Sequence, residues 1–77
     1  MVRVMWSRDE YWQSALTPRQ LEMVRLTAEG MTNEQIAARL GLSRWTVKET
    51  LIVACRKLGA RSRAHCAAIA WTMGLIE

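Results

Sequence analysis

The 77-residue sequence is poor in the residues from which most chemical sites are built. It has two cysteines, Cys55 and Cys66, no C-x-x-C, and a single histidine, His65, beside the second cysteine. A disulfide framework or a structural zinc site needs more ligands at recognisable spacing, so both thiols are expected to be reduced, buried and inert, with no metal. His65 reads as a surface or helix-start residue. With no paired nucleophile and base and no ligand cluster, an enzyme is the reading with least support, and no cofactor is implied. The most apolar run, residues 65–76, is too short to span a bilayer. The N-terminal M-V-R-V-M-W-S lacks the apolar stretch of a signal peptide. A soluble, cytoplasmic protein is expected. Alternating strand patterns, internal repeats and low-complexity segments are also missing, which leaves the all-α class. So short a chain is one domain with a small core, dependent on helix packing or self-association.

What is present is a series of helix signals. Ser7-Arg8-Asp9-Glu10 has the form of a capping box and suggests a short helix over about residues 8–14. Thr17-Pro18-Arg19-Gln20 repeats the signal with proline at the first helical position, where no hydrogen bond is lost. This second helix runs to Glu29, and Gly30 ends it. Thr32-Asn33-Glu34-Gln35 opens a third, through Leu40, with Ile36, Ala37 and Leu40 inward. Gly41-Leu42-Ser43 turns the chain and Ser43 caps the next helix, which Gly59 stops. A last helix covers about residues 62–73. The sum is four helices, or five with the N-terminal one.

The helix from residue 44 to 58 has two apolar sides. Val47, Leu51, Ala54 and Leu58 share one face and read as core. Trp45, Lys48, Glu49, Ile52 and Arg56 form a second stripe on the opposite side. Positive charge is concentrated here too. Residues 1–15 and 16–41 are each neutral, whereas residues 42–63 carry Arg44, Lys48, Arg56, Lys57, Arg61 and Arg63 against Glu49 alone, a net +5. That is the electrostatic footprint of a polyanion-binding surface. A short helix, a glycine turn and a longer helix with a basic outer face make a helix-turn-helix, whose second helix fits the DNA major groove.

Leu16-Thr17-Pro18-Arg19, Glu22, the run Ala28 to Ala37, Leu40, Ser43, Thr46-Val47-Lys48, Lys57-Leu58-Gly59, Arg63 and Gly74-Leu75-Ile76 together resemble the LuxR/NarL-type (GerE-like) helix-turn-helix DNA-binding domain. The resemblance implies a four-helix domain over residues 16–77, preceded by an extension over residues 1–15. It further implies that the third helix reads DNA and the fourth forms a dimer contact. Family members usually carry a receiver or ligand-sensing domain as well; this chain is similar to the free-standing members, from a bacterium or a phage-infected bacterial cell. It departs from the pattern at Thr50, where histidine is common, at Val53, where asparagine is common, and at Gln20-Leu21, where an acidic-basic pair is usual. The family's backbone contact near residue 50 is therefore not carried over.

The resemblance places base reading on Lys48, Glu49 and Ile52, with Trp45 on the same stripe, and phosphate contacts on Asn33, Thr46, Lys57 and Arg63. Lys48 can donate to guanine, Glu49 can accept from cytosine N4, and Ile52 and Trp45 can lie against thymine methyls. Arg44, Arg56, Lys57, Arg61 and Arg63 would supply salt-sensitive, sequence-independent attraction. Ala64, Ala67, Ala68 and Trp71 on the last helix suit a homodimer interface. The expected partner is double-stranded DNA, and the function sequence-specific transcription regulation. Other readings stay open at this stage. Trp45 and Ile52 can instead pack on the N-terminal segment or a partner. Trp6, Tyr11 and Trp12 can cover a gap in the core or dock a protein. The scaffold can serve as a protein-interaction module for a regulator or polymerase subunit, with exposed tryptophans as anchors. A region-4-like sigma fragment shares the turn but not Lys57-Leu58-Gly59 or Gly74-Leu75-Ile76.

Overall fold

Four times among the residues described, a hydroxyl side chain stands just before a helix and accepts a backbone N–H of its first turn. In the computed structural model, which describes residues 16–74, these are Thr17, Thr32, Ser43 and Ser62. They open α1 (Pro18–Ala28), α2 (Asn33–Leu40), α3 (Arg44–Lys57) and α4 (Arg63–Thr72). Each cap satisfies a donor that helix geometry otherwise leaves unpaired, an effect of about 1 kcal/mol. At Thr17 and Thr32 the box is reciprocal: Gln20 Oε1 accepts from the Thr17 N–H at 3.0 Å, and Gln35 Oε1 from the Thr32 N–H at 2.9 Å. The four helices expected over residues 16–77 are therefore present within a residue of their expected bounds, and no strand occurs among the described residues. The expected helix at 8–14 and the aromatics Trp6, Tyr11 and Trp12 lie outside those residues, as do Leu75 and Ile76.

The tight joint between α2 and α3 depends on Gly41. Its φ of 69° lies in the left-handed region, and its N–H still reaches back to the Ala37 carbonyl. Only two further residues, Leu42 and the cap Ser43, separate it from α3. The chain thus reverses direction without a loop long enough to let the two helices drift.

The core is assembled from one stripe of each helix. Met23, Val24 and Leu26 of α1, Ile36 and Ala37 of α2, Val47, Leu51 and Ala54 of α3, and Cys66 and Ala70 of α4 are buried, joined by Leu16 and Leu58. α1 packs on α3 and α4, and α2 packs chiefly on α3. The inward face foreseen for α3, Val47, Leu51, Ala54 and Leu58, is buried throughout. Leu40, expected inward, is only half-buried and packs at the core's margin. No polar or charged residue is buried among the described residues. This apolar core fixes the orientation of α3, and so determines which of its side chains face outward.

Candidate nucleic-acid interface

Since Val47, Leu51 and Ala54 hold one side of α3 in the core, the opposite side must face away from the domain. Trp45 is 69% exposed, and Ile52 and Val53 are each 40% exposed. Lys48, Glu49 and Arg56 on the same side are exposed as well. These are the expected stripe of Trp45, Lys48, Glu49, Ile52 and Arg56, and Val53, not among the expected residues, faces outward with them. Its signal was available in the helical repeat, since it stands four residues after Glu49 and so follows it on the same side.

The expected phosphate-contacting residues lie at both ends of α3 and at the starts of α2 and α4, and five of the seven, Asn33, Arg44, Thr46, Lys57 and Arg63, have a side-chain partner in the fold. Arg63, the first residue of α4, donates through Nη1 to Asn33 Oδ1 and through Nη2 to the Met31 carbonyl at 2.7 Å. It thereby ties the start of α4 to the start of α2. Arg44 forms an ion pair with Glu34 at 2.7 Å, with both side chains largely in solvent. Such an exposed pair contributes little to stability and yields readily to a stronger anion. Lys57 Nζ donates to Gln20 Oε1 at 3.1 Å, the oxygen that also completes the Thr17 capping box. Gln20, at a departure from the family pattern, therefore has a structural use here. Thr46 Oγ1 accepts from the Ser43 hydroxyl at 2.8 Å and is half-buried. Among the described residues, Lys48, Arg56 and Arg61 make no ion pair, so their charge is available to an approaching anion.

An open groove of about 430 Å³ runs beside α3, with Leu51, Ile52, Cys55 and Ala60 as its apolar floor and Lys48, Arg56, Arg61 and Arg63 around it. Asn33 lies at one end and also lines a second recess with Arg44, Trp45 and Lys48. Among the described residues no carboxylate lines either depression. One surface thus brings together Asn33, Arg44, Trp45, Lys48, Ile52, Arg56, Arg61 and Arg63. Lys57 stands apart, turned toward the start of α1.

The two thiols, both expected to be buried, differ in their surroundings. Cys66 is buried as expected, but Cys55 is half-buried on the groove wall rather than enclosed, because its position is a quarter-turn off the core stripe. Burial, then the hydrogen bond and charge of the adjacent Cys55 thiol, push the Cys66 thiol up from 9.0 to about 12, with Arg63 opposing. His65 Nδ1 accepts from the Arg61 N–H at 3.0 Å, so the histidine braces the turn before α4. Among the described residues no group of three or more potential ligands could hold a metal ion. Likewise, no described helix is long and apolar enough to cross a membrane.

On α4, Ala64, Ala68 and Trp71 are exposed, Trp71 by 53%, whereas Ala67 is half-buried and leans toward the domain. Three of the four residues expected at a dimer interface therefore form an open patch, well away in sequence from the α3 stripe.

Comparison with known proteins agrees with this arrangement. Residues 14–70 match the family model described as bacterial regulatory proteins, luxR family. The chain is 39% identical over 64 residues to the HTH-type quorum sensing-dependent transcriptional regulator VjbR of Brucella ovis, covering 83% of this chain and 25% of that protein. It is 42% identical over 65 residues to the HTH-type quorum sensing-dependent transcriptional regulator RpaR of Rhodopseudomonas palustris, covering 84% and 27%. With the nitrate/nitrite response regulator protein NarP of Escherichia coli it shares 41% identity over 61 residues, covering 79% and 28%. The chain thus spans about a quarter of the length of these relatives. No solved structure matches it significantly. Four capped helices, a glycine turn before an outward-facing basic helix, and a match running from residue 14 to residue 70 lead to one conclusion: this chain belongs to the luxR family of bacterial regulatory proteins.

Proposed function

We propose that residues 16–77 form a sequence-specific double-stranded DNA-binding domain of a cytoplasmic transcription regulator, with α3 entering the major groove. The observation that carries this reading is the outward side of α3, where Trp45, Lys48, Glu49, Ile52 and Arg56 lie exposed beside a cationic groove that no described carboxylate lines. A helix with side chains is about 10–12 Å across, which matches a major groove about 12 Å wide. Similarity to transcription regulators supports the DNA-binding role. In this reading Lys48 donates to guanine O6 or N7, Glu49 accepts from cytosine N4, and Ile52 and Trp45 bury apolar surface against thymine methyls. Asn33, Arg44, Thr46, Arg56, Lys57, Arg61 and Arg63 hold the backbone, with Arg44 released from Glu34 on contact. Two copies pair through Ala64, Ala67, Ala68 and Trp71, setting two α3 helices against half-sites about one helical turn apart.

The domain is expected to bind random duplex at low salt and to lose that affinity steeply as salt rises, because each phosphate contact releases counterions. Selection from a random duplex pool should then yield a defined motif. A second reading has one observation in its favour: Trp45 and Trp71 are the kind of large exposed aromatics that anchor protein interfaces. In that case the scaffold binds a regulator or polymerase subunit, with Trp6 and Trp12 as further anchors. Salt-insensitive or undetectable duplex binding would favour that module and overturn the DNA reading.

A further inference from the structure

The outward side of α3 is more apolar than its cationic surroundings require. Ile52 and Val53 are adjacent in sequence, both branched at Cβ, and equally exposed, with Trp45 open two turns earlier. Single exposed apolar residues are ordinary on any surface and need no explanation. Three on one side of one helix, next to its charges, form a pattern.

The helical repeat arranges this side in two columns. Lys48, Ile52 and Arg56 follow one another at intervals of four residues, and Trp45, Glu49 and Val53 do the same alongside them. At about 100° per residue, Val53 lies roughly 130° from the middle of the buried stripe formed by Val47, Leu51, Ala54 and Leu58. Lys48 lies about 90° from it on the other flank. Val53 is thus turned at least as far from the core as the lysine assigned to base reading. Its side chain has no hydrogen-bonding group, so it can neither hold a phosphate nor recognise a base donor or acceptor. The feature of a major groove that a branched apolar side chain can recognise is the thymine C5-methyl group.

We propose that Val53 is a further specificity-determining residue, which acts with Ile52 and Trp45 as a methyl-sensing surface and selects half-sites carrying thymines beside the G·C pair read by Lys48 and Glu49. This rests on the DNA reading above and adds the identity of the flanking bases. Trp45 and Val53 are eight residues apart, about 12 Å along the helix axis, which corresponds to three or four base pairs. The apolar residues therefore bracket the polar ones: Trp45 precedes Lys48 and Glu49, and Ile52 and Val53 follow them. Rigid placement follows from the core beneath, since Leu51 and Ala54, the immediate neighbours of the Ile52–Val53 pair, are both buried.

The test uses the duplex recovered by selection and replaces its thymines one at a time with deoxyuridine, which removes only the C5-methyl. Burial of one methyl corresponds to about fourfold in affinity. At one thymine or more, wild-type protein is expected to lose about fourfold on this exchange, while Val53→Ala binds the thymine duplex about fourfold more weakly and shows almost no further loss with deoxyuridine. The same cycle with Ile52→Ala assigns the remaining methyls. Both side chains are on the surface, and unchanged circular dichroism and thermal unfolding of the variants confirm that the fold is intact. Deoxyuridine exchange without effect at every position overturns the methyl-sensing surface, and an undiminished deoxyuridine effect in Val53→Ala removes Val53 from it. In either case a tight, selected duplex still stands, so the DNA reading survives; failure to recover any preferred duplex overturns both.

Discussion

Lys48 and Lys57 carry the same charge, lie on the same helix and differ in surroundings, so they are expected to behave differently. Lys48 is unpaired among the described residues and stands beside Trp45 and Ile52, whereas Lys57 is tied to Gln20 near the start of α1. Lys48→Ala should relax or abolish sequence preference. Lys57→Ala should weaken all duplexes about equally and lower the salt slope by about 1, as expected for loss of one phosphate contact. Titrations of matched and mismatched duplexes measure both, and equal effects from the two variants would contradict the division of roles. The thiols offer a second contrast. At pH 8 a thiol reagent should modify Cys55 on the groove wall promptly and reach Cys66 only as the domain opens. Because the folded Cys66 thiol is raised to about 12 from 9.0, the unfolded chain releases that proton first as pH climbs. Its contribution is therefore fully present below pH 9 and lost as pH rises toward about 12. Denaturant titrations across that range should show stability falling less in Cys66→Ala than in the wild type. The side on which a residue lies was legible from the repeat, but its partners were not. Arg63 to Asn33, Arg44 to Glu34 and His65 to the Arg61 N–H join residues that only tertiary structure or the exact path of a turn brings together.

At the scale of elements, the helix boundaries were legible because each is set by short-range chemistry. Thr17 and Thr32 accept from a residue three places on, and those glutamines reach back, so four consecutive letters contain the whole motif. The turn before α3 allows two costs to be separated. A Cβ at Gly41 would meet nothing within 4 Å, so Gly41→Ala is opposed by left-handed backbone strain alone, at about 1–2 kcal/mol. Ser43→Ala removes a cap and should cost about 1 kcal/mol. For a domain of this size each kcal/mol lowers the midpoint of thermal unfolding by roughly 4–8 °C, which calorimetry resolves. A Gly41→Ala variant as stable as wild type would show that the turn does not require the left-handed conformation. Val53 illustrates the limit of reading by family position: the customary residue there is asparagine, so the family pattern assigns the valine no role, whereas its exposure beside Ile52 depends on how the core orients α3.

At the scale of the whole molecule, the small apolar core of the described residues holds two open surfaces among them: the outward side of α3 with its groove, and the patch of Ala64, Ala68 and Trp71 on α4. Trp71→Arg places a charge in the second and should shift the protein toward monomer. Sedimentation of wild type and variant over a range of concentrations measures this, and identical behaviour would remove α4 as the interface. The central claim, that α3 reads base edges from the major groove, is tested most directly by replacing guanine with 7-deazaguanine in the selected duplex. That exchange removes the N7 acceptor from the major groove and leaves Watson–Crick pairing and the minor groove unchanged. Wild-type affinity should fall about five- to tenfold at the guanine that Lys48 contacts, consistent with loss of part of a contact worth about 1–3 kcal/mol, and Lys48→Ala should show no such fall. Equal affinity of the wild type for both duplexes at every guanine would contradict the account.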